Sequence, residues 1–172
     1  MKSYTVSSLL KTLFFSKDFL AVHQNKQRCD NCFLGSRKGH YVYDVERAFN
    51  FYLKALNLIR CLKRKRLSVL YIGCPSRIKK RLSILLDGSS HVYTDPASWR
   101  ETKQPVHDLI VVYCSSTIFS NSDVLQMGAP SIFFDSGMFD HVTKMDFPVE
   151  LNMESTSIED MYLHLVKCLG PK

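Results

Sequence analysis

Three short, mostly apolar runs constrain this chain more than any other feature: LSVLYI at Leu67–Ile72, DLIVVYC at Asp108–Cys114 and PSIFFD at Pro130–Asp135. Each is rich in branched and aromatic residues, bounded by turn-forming ones and too short for a buried helix. Each therefore reads as a strand buried on both faces. Such strands need helices to cover them, and the intervening sequence supplies the pattern. Val45, Ala48, Phe49, Tyr52, Ala55, Leu56, Ile59 and Leu62 fall on one helical stripe, with Glu46, Arg47, Asn50, Lys54, Asn57 and Arg60 on the other faces. Asp44 is placed to cap that helix after a short strand over His40–Val45. Pro75 opens a second helix reaching about Leu86, apolar at Ile78, Leu82 and either Leu85 or Leu86. Ser120 or Ser122 caps a brief third helix ending at Gly128, where a left-handed residue is expected. The last helix, Ile158–Leu169, follows a Thr156-x-x-Glu159 capping box and ends at Gly170-Pro171. Short strands are predicted over His91–Thr94 and Phe147–Leu151. Buried strands alternating with amphipathic helices predict an open parallel sheet covered on both faces. The three apolar runs should be parallel neighbours, because each crossover returns the chain in the same direction.

The 172 residues, 45% of them apolar, suit one domain with a real core. That excludes a disordered tail, a collagen-like fibre and a disulfide-dense miniprotein. The expected organisation is a single unit over 1–172, with a sheet core at 40–172 and an N-terminal helix and basic arm at 1–39. Within the latter, 5–20 has helical spacing and 23–39 is basic and glycine-punctuated, which reads as a loop or arm. The longest apolar run, Leu109–Cys114, is far short of the ~20 residues a membrane-spanning helix needs. Of six cysteines, Cys61, Cys74, Cys114 and Cys168 fall in apolar settings, so they are expected to be buried thiols suited to a reducing compartment. Residues 1–20 contain no secretory h-region. They carry Lys2, Lys11, Lys17, several serines and no acid before Asp18, partly the composition of an organelle transit peptide, but without arginine.

Lys plus Arg number 23 against 16 acids, a net charge of +7, which favours a polyanionic partner. Two clusters concentrate the surplus: Lys63, Arg64, Lys65 and Arg66 at a helix-to-strand junction, and Arg77, Lys79, Lys80 and Arg81 on the next helix. Consecutive cations at a junction must project, so they either contact phosphates or remain a solvated helix end. A third patch, Lys26, Arg28, Arg37 and Lys38, has Tyr41 and Tyr43 nearby, which could stack on bases or pack on the sheet. Gly73-Cys74-Pro75-Ser76-Arg77 follows a strand and opens a helix, but lacks the glycines of a nucleotide loop. It reads as a tight turn. Cys29 and Cys32, with His23 or His40, could supply part of a zinc site, yet no second ligand pair is present. Asp108, Asp135, Asp140 and His141, with Cys114, Ser115 and Ser116, could converge on the carboxyl edge of the sheet. No G-x-S-x-G elbow accompanies them, and aspartates at strand ends commonly form turns and caps. No catalytic residue, cofactor or metal is therefore expected.

In order, these segments resemble one family. FLGSRKGHYVYDVERAFNFYLKALNLI followed by KRKRLSVLYIGC is similar to the first half of the small-subunit ribosomal protein S-two family, matching at His23-Gln24, Leu34-Gly35, Gly39-His40 and Asp44-Val45. HDLIVVY, DVLQMGAPSIFFDS and MDFPVELNMESTSIEDMYLHL resemble successive stretches of its second half. The similarity runs from about Phe19 to Leu169 and rests on the ordered series of short matches. Val22 replaces a family glycine, and a few residues are missing between His23 and Leu34. The stretch between Trp99 and Asp108 is too short for the family's projecting helical hairpin. The resemblance implies a Rossmann-like (flavodoxin-like) open, mainly parallel sheet flanked by helices and lacking that hairpin. It also implies a structural, non-enzymatic constituent of the small ribosomal subunit that contacts rRNA and adjacent ribosomal proteins, with no membrane or small-molecule partner. The trimming, with the abundance of cysteine and phenylalanine, points to a mitochondrial version in the matrix, the alternatives being plastid or bacterial cytoplasm. The basic clusters would then meet rRNA, and a phosphate could sit at the Gly73–Arg77 helix start. A small nucleotide-binding or hydrolytic α/β enzyme is the alternative from another class.

Overall fold

The computed structural model describes residues 33–37, 40–62, 68–86, 92–95, 98, 107–113, 128–135, 146–153 and 156–169. Two strands, β1 (Phe33–Arg37) and β2 (His40–Tyr43), form an antiparallel hairpin. The helix α1 (Val45–Leu62) leads to β3 (Val69–Ile72). A 3-10 turn at Ser76–Ile78 runs into α2 (Lys79–Leu86), which precedes β4 (Val92–Thr94). β5 (Leu109–Tyr113), β6 (Ser131–Asp135), β7 (Phe147–Glu150) and α3 (Thr156–Leu169) complete the order.

β3 to β7 form one five-stranded sheet in the order β4-β3-β5-β6-β7, every neighbouring pair parallel. This is the flavodoxin-like doubly wound order, reversing direction of travel between β3 and β5. The three apolar runs are its central strands, adjacent and parallel as their continuous hydrophobicity requires. Alternation along the strands divides the core. Val69, Tyr71, Leu109, Val111, Tyr113, Ile132, Phe134 and Val149 join the buried stripes of α1, α2 and α3 in one cluster. Leu70, Ile72, Ile110, Val112 and Phe133 are also buried, and successive side chains of a strand point oppositely, so they occupy the second face. The three helices among the described residues thus share one face.

Local chemistry explains the boundaries. The Arg47 N–H donates to Asp44 Oδ1 at 2.9 Å, so Asp44 caps α1 as its position predicts. The stripe from Val45 to Ile59 is buried throughout. In α2, Ile78, Leu82 and Leu86 are buried, whereas Leu85 is 38% exposed, which resolves the alternative left by periodicity. Gly73 has φ +72° and Gly128 φ +62°, left-handed values that end β3 and precede β6.

Three expectations need correction. Phe33–Arg37 is a strand, not part of a loop, since an irregular hairpin strand with a bulge beside Gly35 (φ +141°) carries no alternating signal. Thr156 is already helical and so is not the cap of α3, while Glu159 turns toward Arg77 at 3.8 Å. Cys61 is exposed, because it follows Arg60 onto the outer side of the last turn of α1. Cys74 and Cys168 are half-buried against the core. The expected helices over 5–20 and before Gly128 lie outside the described residues.

Candidate nucleic-acid interface

The amino and carboxyl ends of the sheet have different chemistry. At the amino end, carboxylates tie strand starts together. The Ser68 N–H donates to Asp108 Oδ2 and the Asp108 N–H to the Ser68 carbonyl, both at 2.9 Å. Asp146 Oδ2 likewise accepts from the Ser131 N–H and hydroxyl, at 2.9 and 3.1 Å. The buried His107 sits beside this first pair, its Nδ1 2.7 Å from Ser68 Oγ, and burial pushes its pKa down. Asp108 therefore cannot join Asp135 at the carboxyl edge: it precedes β5, while Asp135 ends β6. The expected convergence fails because strand direction separates these two acids by the length of a strand. Asp140, His141, Cys114, Ser115 and Ser116 lie outside the described residues.

At the carboxyl end, the reversal between β3 and β5 is where sheets of this order receive small ligands. Here Tyr162 of α3 donates its hydroxyl to the Gly73 carbonyl at 3.1 Å. Tyr113, at the end of β5, stands edge-on to Tyr162 with ring centroids 5.4 Å apart, and its hydroxyl donates to the Met153 carbonyl at 3.0 Å. Phe134 packs on Tyr162 from the other side, also at 5.4 Å. Burial drives the pKa of both tyrosines upward, so they act as neutral donors. The turn after β3 is thus packed with aromatic rings, and Pro75 begins the 3-10 turn with no side-chain cap. Sequence reasoning missed Tyr113 and Tyr162. Their aromatic character was visible, but nothing local placed a residue of the last helix against Gly73.

Beside this plug lies the basic element. Arg77, Lys79, Lys80 and Arg81 are all exposed, within a segment, Ser76–Leu86, that contains no acid. Arg77 faces Glu159 at 3.8 Å. Lys79 Nζ donates to Asp95 Oδ1 at 3.1 Å and lies over the Tyr93 ring, 5.5 Å from its centroid. Tyr93 also donates to Asp95 Oδ1, at 2.8 Å, and these two bonds, the tyrosine's first, hold the Asp95 carboxyl below the usual carboxylate range. Nearby Cys74 is held above the ordinary thiol value by burial, so it is a poor thiolate. Lys80 and Arg81 have no acidic partner among the described residues. The exposed Lys79–Asp95 pair is worth only about 0–1 kcal/mol, and the Arg77–Glu159 contact is long at 3.8 Å, so a phosphate could displace either acid.

Of the other candidates, Arg37 is placed in β1 and pairs with His40 across the hairpin. Tyr43 is buried, which removes it as a base-stacking ring. Lys26, Arg28, Lys38, Lys63, Arg64, Lys65 and Arg66, with His23, Cys29 and Cys32, lie outside the described residues. Among those that are described, no three His, Cys, Asp or Glu side chains cluster as metal ligands. No protein-family profile matches the chain, and no curated protein matches it.

Proposed function

We propose that this chain is a structural, non-catalytic protein of the small ribosomal subunit, in the mitochondrial matrix, binding rRNA and neighbouring ribosomal proteins. The observation that carries the reading is the open basic surface beside the turn after β3. Tyr162 and Tyr113 pack the turn after β3, while the four cations of Arg77–Arg81 stand in solvent beside it. A surface of this kind recognises an extended polyanion by charge and shape. The ordered sequence resemblance to the S-two family supplies the identity of that polyanion as rRNA. The flavodoxin-like strand order is also the one the resemblance implies.

In this mechanism a rigid α/β body presents Lys63–Arg66 and Arg77–Arg81 to phosphates, and each phosphate neutralised releases counterions. Replacing Lys63, Arg64 and Lys65 together with Gln should flatten the salt dependence of rRNA-fragment binding by up to about two units, at ~0.7–0.9 per contact. Incorporation of that variant into small subunits should fall in parallel. An unchanged slope with normal incorporation would reject the phosphate role of this cluster.

A further inference from the structure

The aliphatic half of the outer face of α2 has no role in phosphate binding. Ile84 is 75% exposed, the highest value among the exposed large apolar residues described. At 100° per residue it stands about 200° around the helix from Leu82, the innermost side chain of α2. Leu85, 38% exposed, lies beside it. One turn earlier come Lys80 and Arg81, the two cations without acidic partners among the described residues. Because i and i+4 residues are neighbours on a helix, Lys80–Ile84 and Arg81–Leu85 form two parallel ridges, each with a cation followed by an aliphatic group.

We propose that this face docks an acidic amphipathic helix of a partner protein, with aliphatic side chains on Ile84 and Leu85 and carboxylates on Lys80 and Arg81. The proposal goes beyond the ribosomal reading and does not depend on it; the two give Lys80 and Arg81 different partners, and parallel titration with peptide and polyuridine separates them. Charge complementarity selects an acidic partner, since Ser76–Leu86 contains four cations and no acid. The aliphatic half selects protein over RNA. Phosphates gain nothing from Ile84 or Leu85, whereas aliphatic side chains of a protein bury apolar area against both. A partner helix laid across two such ridges matches both halves at once.

The test uses the full chain and three fluorescein-labelled probes in anisotropy titrations. One probe is a helical peptide with Leu along one stripe and Glu on its flanks, the second is the same peptide with Ala for Leu, and the third is a polyuridine oligonucleotide. The Leu/Glu peptide should bind saturably and at least about tenfold more tightly than the Ala/Glu peptide, as befits burial of several aliphatic groups. Ile84→Asp, and separately Lys80→Glu with Arg81→Glu, should each weaken it about tenfold or more. Ile84→Asp should leave the urea midpoint and polyuridine binding unchanged. Equal binding of the two peptides, an equal loss of polyuridine binding in Ile84→Asp, or no saturable peptide binding would each overturn the proposal.

Discussion

Individual side chains in this protein matter chiefly for how they satisfy buried polar groups. The Tyr162 hydroxyl reaches from α3 to donate to the Gly73 carbonyl at 3.1 Å. Tyr162→Phe should lower unfolding free energy by about 1–3 kcal/mol, the cost of leaving a buried acceptor unmet, as read from urea denaturation. A loss well below that range would mean that water reaches Gly73. Two histidines add a pH dependence. Burial lowers the pKa of His107 against a smaller opposing effect of Asp108; burial, with Lys167 and Arg60, lowers that of His164. His164 Nδ1 lies 2.7 Å from the Tyr52 hydroxyl, which itself donates to the Met161 carbonyl, so the neutral ring can donate to Tyr52. With folded values below the unfolded 6.5, the unfolded chain binds more protons below that pH. Stability from both residues should be complete above 6.5, decline on acidification and be lost once pH falls through the lowered folded values. Urea midpoints from pH 8 to 5 should therefore fall, and less so in His164→Gln; a parallel fall in the variant would exclude His164.

Among the elements, α2 illustrates how burial, not helical propensity, sets energetic weight. Leu82 is 1% exposed and touches the sheet core, while Ile84 two residues on faces solvent. Leu82→Ala should cost about 2–5 kcal/mol through lost transfer energy and a residual cavity. Ile84→Ala should stay within about 0.5 kcal/mol. Similar losses for the two would place both faces of α2 against protein in the isolated chain. The stripe of α1 from Val45 to Ile59 and its Asp44 cap are legible, because an amphipathic pattern repeats its signal over an 18-residue helix, whereas the exposure of Cys61 is not. β2 falls within the strand expected over His40–Val45, but its partner β1 is illegible for the opposite reason: five residues, one bulge and a glycine at φ +141° leave no period to detect.

Across the whole molecule, strand order predicts the hierarchy of local stability. β5 lies at the centre, between β3 and β6, and all five of its residues are buried. β4 is an edge strand of three residues with Val92 exposed, and β1–β2 stands as a separate two-stranded sheet. Native-state hydrogen exchange should find the slowest amides in β5, β3 and β6, with β4 and the hairpin exchanging faster by local opening. Equal protection in the hairpin and β5 would show that the two sheets open as one cooperative unit.

The sequence by itself determined the class of fold and the identity of the central strands, because LSVLYI, DLIVVYC and PSIFFD can be buried on both faces only inside a covered parallel sheet. It also marked Arg77, Lys79, Lys80 and Arg81 as surface cations, since a helix with its apolar stripe at Ile78, Leu82 and Leu86 must turn them outward. Only the tertiary structure decided which of those cations meet an acid. Glu159 lies far along the chain from Arg77, on the last helix, and Asp95 sits 16 residues from Lys79 just past β4, and packing of those elements around β3 brings each to its cation. Direction within the sheet likewise sent Asp108 to the amino end and Asp135 to the other, a separation no local pattern encodes. Periodicity reports the face a residue occupies on its own element; long-range pairing decides which residue stands opposite.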